Sequence, residues 1–168
     1  MARELKDSKS AVPRFLAATA VPQSLTGTLV ETVLASIIVP AGIMQANGRL
    51  NIHSLFNVSN NANVKELFIR LGGTGINGAI MMHQYIATAT TKGWYGYSKI
   101  SNRGAMNSQI GDPEYGNGGG QFGEFGNGYY TGAVDMSQQQ TLFITGKLGN
   151  VADTITLQSY EVELIPKS

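Results

Sequence analysis

Short apolar runs with a two-residue period, separated by glycine, proline and asparagine, constrain the fold of this chain most strongly. Between residues 64 and 71, Leu67, Ile69 and Leu71 fall on one face of an extended strand, since successive strand side chains point to opposite sides. A Gly-Gly-Thr-Gly turn ends that run. Glycine, asparagine and β-branched residues recur every few positions, which disfavours any helix of useful length. The chain is therefore expected to consist of strands.

The same pattern predicts several further strands. The Asn47-Gly48 pair opens one of them and is typical of turns that need positive φ. Turns recur about every eight to twelve residues, which favours a sandwich or jelly roll. We predict an all-β fold, an antiparallel, jelly-roll-like β-sandwich, as a single domain over residues 25–168. The predicted strands, besides 64–71, are 29–39, 49–57, 80–90, 94–100, 140–147 and 153–165.

The last predicted strand contains one break in its alternation. Ile155 and Leu157 are in phase, whereas Tyr160, Val162 and Leu164 have the opposite parity. One extra residue near positions 158–159 would point both groups inward. We predict a β-bulge there, and a strand that passes between two core layers is the alternative.

Residues 1–24 differ from the rest of the chain. They begin with charged and polar residues, and two prolines favour extended backbone. We predict an extended N-terminal arm in which Phe15 and Leu16 contact a neighbouring subunit, with a disordered tail as the alternative. The first residues lead into no continuous apolar segment, so no signal peptide is expected.

The segment 111–132 is rich in glycine and aromatic residues. A loop of this length is unusual in a compact domain and tends to be functional. Ordering its glycines costs backbone entropy, which burial of aromatic rings against a partner could offset. We predict an interface loop, with a loop folded over its own sandwich as the alternative. Its candidate contact residues are Tyr115, Phe122, Phe125, Tyr129 and Tyr130.

Few side chains in this sequence are suited to catalysis or to metal binding. It has no cysteine and only two histidines, His53 and His83, both within predicted strands and distant in sequence from acids. The acids at 112, 114 and 124 match no calcium-binding loop. We expect no enzymatic activity, no metal and no cofactor.

Charge and hydropathy limit the partners. The net charge of +1 provides no steering field for nucleic acid, and no uninterrupted apolar segment is long enough to span a membrane. Only 14% of residues are charged, against about a quarter in typical domains. This composition favours a surface covered by other protein subunits, with a polar amide surface as the alternative.

Three neighbouring aromatic residues, Trp94, Tyr95 and Tyr97, predict a sugar-binding surface. Many jelly-roll modules bind carbohydrate through exposed aromatic rings. In a strand, Tyr95 and Tyr97 share one face and Trp94 lies on the other. At least one ring is therefore expected in the core.

The segments 31–52 and 63–73, with the closing strand through residues 165–166, resemble small β-sandwich virion proteins of tailed bacteriophages. The resemblance implies a homo-oligomeric subunit on the capsid or tail surface of a virion, and we expect a trimer rather than a dimer. Its partners would be the major capsid protein or another virion protein, and it offers no catalytic residues. The principal hypothesis is a capsid decoration (cement) protein; the alternative is a carbohydrate- or receptor-binding fibre module.

Overall fold

The computed structural model describes residues 13–115 and 129–166. A single turn of 3₁₀ helix, Gly75–Asn77, is the only helical element within these residues. The strands in the same ranges are β1 (Arg14–Thr19), β2 (Gln23–Thr26), β3 (Thr32–Val39), β4 (Arg49–Val58), β5 (Lys65–Leu71), β6 (Ala79–Ile86), β7 (Gly93–Asn102), β8 (Gln109–Tyr115), β9 (Tyr130–Gly132), β10 (Gln140–Leu148) and β11 (Thr154–Ile165).

Two antiparallel sheets form the sandwich. One has the order β1-β11-β4-β7-β8-β9, with β2 also paired to β11, and the other has the order β3-β10-β5-β6. Strand pairs are nested along the chain: β1 with β11, β3 with β10, β4 with β7 and β5 with β6. This nesting is the winding of a jelly roll. The predicted fold class is confirmed.

The core lies between the two sheets and follows the predicted alternation. Leu67, Ile69 and Leu71 of β5 are buried in one core cluster together with residues of the opposite sheet such as Ile52. Phe68 lies on the outer side of β5 but is also buried, because the His83 ring stacks on it at 4.4 Å.

The β-bulge predicted in the last strand is confirmed. The register between β11 and β4 shifts between Leu157 and Ser159. As a result Leu157, Val162 and Leu164 are all buried in the same core, which a strand of strict two-residue period could not achieve.

The predicted arm is extended from Arg14 onward, but it is not separate from the sandwich. Both β1 and β2 pair with β11, so the domain begins near residue 14 and not at residue 25. Leu16 packs against the core of its own domain, so its side chain is not free to contact a neighbouring subunit. Phe15 faces the opposite side of β1, because successive strand residues alternate. Phe15 is 64% exposed. Residues 1–12 of the predicted arm lie outside the described residues.

The predicted loop 111–132 is shorter than expected, since its ends belong to β8 and β9. A side chain at Gly111 would place its Cβ 2.2 Å from the Met81 carbonyl oxygen, so this glycine permits β8 to approach β6. Tyr115 pairs with Gly96 at the end of β8, and Tyr129 is exposed. Tyr130 is half-buried in β9. Phe122 and Phe125 lie outside the described residues.

The turn before β4 differs from the prediction in its backbone conformation. Positive φ occurs at Gly42 and Gln45, not at Asn47 or Gly48. Gly48 is required for another reason: a Cβ there would lie 1.7 Å from the Met44 carbonyl oxygen. The residues that the structure describes contain no helix that could span a bilayer.

Candidate functional site

Three neighbouring strands of the larger sheet align a set of outward-facing side chains. In the register of β11, β4 and β7, the residue pairs form two rows across the strands. One row contains Glu161, His53 and Tyr97, and the other contains Ser159, Leu55 and Tyr95. The bulge in β11 brings Ser159 and Glu161 into phase with the outward residues of β4.

Trp94 takes the opposite side of β7, as strand alternation requires. It is 8% exposed and packs on Phe56, with ring centroids 5.9 Å apart. The candidate sugar contact at Trp94 is therefore corrected: its indole belongs to the core and cannot meet a ligand. Tyr95, at 50% exposure, and Tyr97 share the outer face, as predicted.

His53 joins the two tyrosines into one aromatic cluster. Its Nδ1 and the Tyr95 hydroxyl share a hydrogen bond of 2.6 Å. The His53 ring centroid lies 4.4 Å from that of Tyr97, at an interplanar angle of 47°. Lys99 follows on the same face, with its Nζ 5.0 Å from the Tyr97 ring centroid. These contacts fix the orientation of Tyr95 while half of its surface stays open.

An open groove of about 540 Å³ begins at this cluster and crosses β4 and β11 towards β1. Tyr95, Leu55 and His53 line one end. Ala18, Ala20 and Ser159 line the other part. Because these side chains are small, they do not fill the groove. The remaining lining residues are Thr19, Ser54, Tyr160 and Glu161.

Two acids of β11 on this face have different surroundings. Glu163 accepts a hydrogen bond of 2.9 Å from the Asn51 side-chain amide. Glu161 lines the groove, and its carboxylate has no hydrogen bond or ion pair to any residue that the structure describes. Glu161 is thus an acceptor available to a ligand.

Polar groups on the outer face of the smaller sheet are bonded to one another. Arg70 donates two hydrogen bonds of 2.7 Å to the Glu31 carboxylate. Glu66 contacts His83 Nε2 at 2.9 Å and Lys147 Nζ at 3.1 Å. These side chains are already paired, which is typical of a stabilising network.

Burial alone would raise the pKa of Glu31. Hydrogen bonds from Arg70 and Thr145, with the charges of Arg70 and Lys147, outweigh burial and hold that pKa below its usual value. The carboxylate therefore stays ionised in the folded protein.

A second charged pair is buried where β5 and β11 begin. Lys65 is fully buried; its Nζ donates to the Asn61 carbonyl oxygen at 3.0 Å and lies 3.7 Å from Asp153 Oδ2. The Asn61 side-chain amide donates to Asp153 Oδ1 at 2.6 Å. Burial raises the pKa of Asp153, but hydrogen bonds from Asn61 and Asn63 and the Lys65 charge lower it by more. This cluster attaches the loop before β5 to β11.

Comparison with known proteins gives weak likenesses. No protein-family model and no curated protein matches the chain. The CBM2 module of the evolved Dit of Lactobacillus casei BL23 phage J-1 is 15% identical, with a TM-score of 0.36, over 79% of this chain and 70% of that one.

Plant lectins give slightly higher scores. The Ulex europaeus lectin I, in complex with a methyl glycoside of α-L-fucose, has 8% identity and a TM-score of 0.42 over 90% of this chain and 91% of the lectin. The Bauhinia forficata lectin, in complex with GalNAc, has 7% identity and a TM-score of 0.41 over 98% and 96% of the two chains. All these TM-scores lie below 0.5, so none of these proteins informs the function of this chain.

Strand alternation predicted that Tyr95 and Tyr97 share one face, but it did not predict the groove that begins at Tyr95. His53 was predicted only to lie within a strand, and Ser159 and Glu161 were not singled out. Strand alternation in the sequence predicts that these side chains point outward. Their proximity to Tyr95 depends on the pairing of strands that are far apart in the sequence. Within the described residues, no three His, Asp or Glu side chains are grouped to hold a metal ion.

Proposed function

We propose that this chain is a carbohydrate-binding module whose ligand lies in the groove that begins at Tyr95. The exposed ring of Tyr95, oriented by the hydrogen bond to His53, is the observation that carries the proposal. A fixed aromatic ring with a polar edge contacts the apolar face of a sugar at low entropic cost.

The groove supplies the other contacts that a sugar needs. Ser159 and Glu161 offer hydroxyl and carboxylate oxygens, and Leu55 adds an apolar contact beside Tyr95. From β7 through β4 and β11 to β1 there are three strand intervals, or roughly 14 Å. That length suits an oligosaccharide that runs across the strands better than a single sugar ring.

The capsid-decoration role stays a prediction, as do assembly into trimers, attachment to a capsid protein and location on a virion. Such contacts would lie between chains. Among the candidate contact residues whose side chains the structure describes, Phe15 and Tyr129 are exposed, at 64% and 59%. A glycan-binding module on a phage fibre is compatible with the same body, because the groove occupies only one face of the larger sheet.

A glycan array with wild-type protein and the Tyr95→Ala variant tests the proposal. We expect binding to a defined group of oligosaccharides that falls at least about tenfold in the variant. Tyr85→Ala is the matched control, because Tyr85 is also exposed but lies on the smaller sheet. Absence of glycan binding, or equal binding by Tyr95→Ala, would contradict the proposal.

A further inference from the structure

The charge of the groove points to a restricted class of glycan. Glu161 is the one acid among the groove's lining residues, and the lining contains neither lysine nor arginine within the part of the chain that the structure describes. Lys99 follows Tyr97 on the outer face of β7, with its Nζ over the Tyr97 ring. It does not line the groove.

The Glu161 carboxylate is also without a partner of its own among the described residues. Its neighbour Glu163 already accepts a hydrogen bond from Asn51, and Glu66 on the other sheet contacts both His83 and Lys147. A free, half-buried carboxylate binds donors strongly, because hydrogen bonds to a charged acceptor are about twice as strong as neutral ones.

We infer that the groove selects glycans without carboxylate groups, and that Glu161 determines this selectivity. This inference rests on the proposed function. Hydroxyl groups of a neutral sugar would donate to both oxygens of Glu161 while the ring lies near Tyr95. A uronic or sialic acid at the same position would bring a second carboxylate against Glu161, with no lining lysine or arginine to compensate for the repulsion.

The charge of Glu161 can be removed with little change in the shape of the side chain. Glu161→Gln keeps the side-chain length but replaces one acceptor oxygen with a donor amide. We expect weaker binding of neutral glycans and a smaller penalty for acidic ones. Glu163→Gln is the matched control, since Glu163 lies two residues further along β11 and does not line the groove.

The experiment measures affinities of the full chain for paired oligosaccharides, galactose-based probes and the same probes oxidised to galacturonic acid. Wild-type protein and Glu163→Gln should bind the neutral member at least about tenfold more tightly than the acidic member. Glu161→Gln should reduce that ratio severalfold. Thermal unfolding of each variant verifies that the sandwich is intact.

The possible results separate the two claims. Equal affinity for both members, or a ratio unchanged by Glu161→Gln, overturns the selectivity while the carbohydrate-binding proposal stands. Tighter binding of the acidic member overturns it in the same way. If no glycan of either kind binds in the array or in this assay, both the proposed function and the inference fail.

Discussion

The indole of Trp94 occupies the space that a side chain at residue 96 would need. A Cβ built on Gly96 would lie 2.0 Å from a ring carbon of Trp94 and 2.9 Å from Ser54 Oγ. The ring thus lies over Gly96 on the core side of β7. Because Trp94 and Gly96 fill the inner side of β7, Tyr95 and Tyr97 are held on the outer side.

Replacing Gly96 with alanine should therefore overpack the core. We expect Gly96→Ala to lower the free energy of unfolding by about 2 kcal/mol, since inserted methyl groups cost about 1–3 kcal/mol in packed cores. Urea unfolding measures this. Gly93→Ala on the same strand, where the Cβ would be 3.3 Å from the Phe56 carbonyl oxygen, should have a smaller effect. Equal losses in both variants would contradict this packing.

Substitutions of the two adjacent aromatic residues should separate stability from binding. Trp94→Ala removes a buried ring and should lower the free energy of unfolding by about 3 kcal/mol or more. Tyr95→Ala should lower it by less than about 1 kcal/mol, because its ring is half exposed. Thermal or urea unfolding of both variants tests this. A larger loss from Tyr95→Ala would place that ring in the core.

The buried Lys65 should matter far more than a surface lysine. Lys65→Met leaves the Asp153 carboxylate buried beside no cation, and loss of one partner of a buried pair costs about 3–5 kcal/mol. Lys147→Met is the control: the Lys147 side chain is 45% exposed, and surface ion pairs contribute at most about 1 kcal/mol. Unfolding by urea compares them. Similar losses for the two variants would show that Lys65 contributes no more than a surface charge.

Acid should destabilise the protein through Glu31 and Asp153. The pKa of each carboxyl is lowered in the folded state, so their stabilisation is present above the unfolded pKa of about 4 and is lost as pH falls through the folded values. The free energy of unfolding should therefore decrease steadily below about pH 5.

Glu31→Gln isolates one part of this effect. The variant should be less stable at neutral pH, because Arg70 loses its charged partner, and its stability should fall less steeply in acid than that of the wild type. Unfolding measured between about pH 3 and pH 7 compares the two slopes. Identical slopes would mean that the pKa of Glu31 is not lowered on folding.

The sequence predicted strands where alternation and turn residues agree. The inner face of β5 and the bulge after Leu157 were readable, because each is a local pattern of side-chain phase. β1 and β2 were not recognised as strands, since both pair with β11, which is more than a hundred residues away in the sequence. β8 was missed because Gly111 and Pro113 are poor strand residues, and Gly111 is needed only where the strand approaches Met81.

The groove was only partly predictable for the same reason. Tyr95 and Tyr97 share a face by local alternation, which the sequence shows. Their proximity to His53 and Glu161 depends on the register of β7, β4 and β11, and no local pattern specifies which strands become neighbours. Trp94 shows that an aromatic cluster can also mislead. It was predicted as a sugar contact because it lies beside Tyr95 and Tyr97, whereas strand alternation places its ring in the core.

Chemical-shift mapping of backbone amides during titration with an oligosaccharide that binds on the array locates the ligand on the protein. If the groove binds the glycan, the largest changes will occur at His53, Leu55, Tyr95, Ser159 and Glu161, across three strands that meet only in the folded sheet. Changes confined to the smaller sheet, around Phe68 and His83, would show that the groove is not the glycan-binding site.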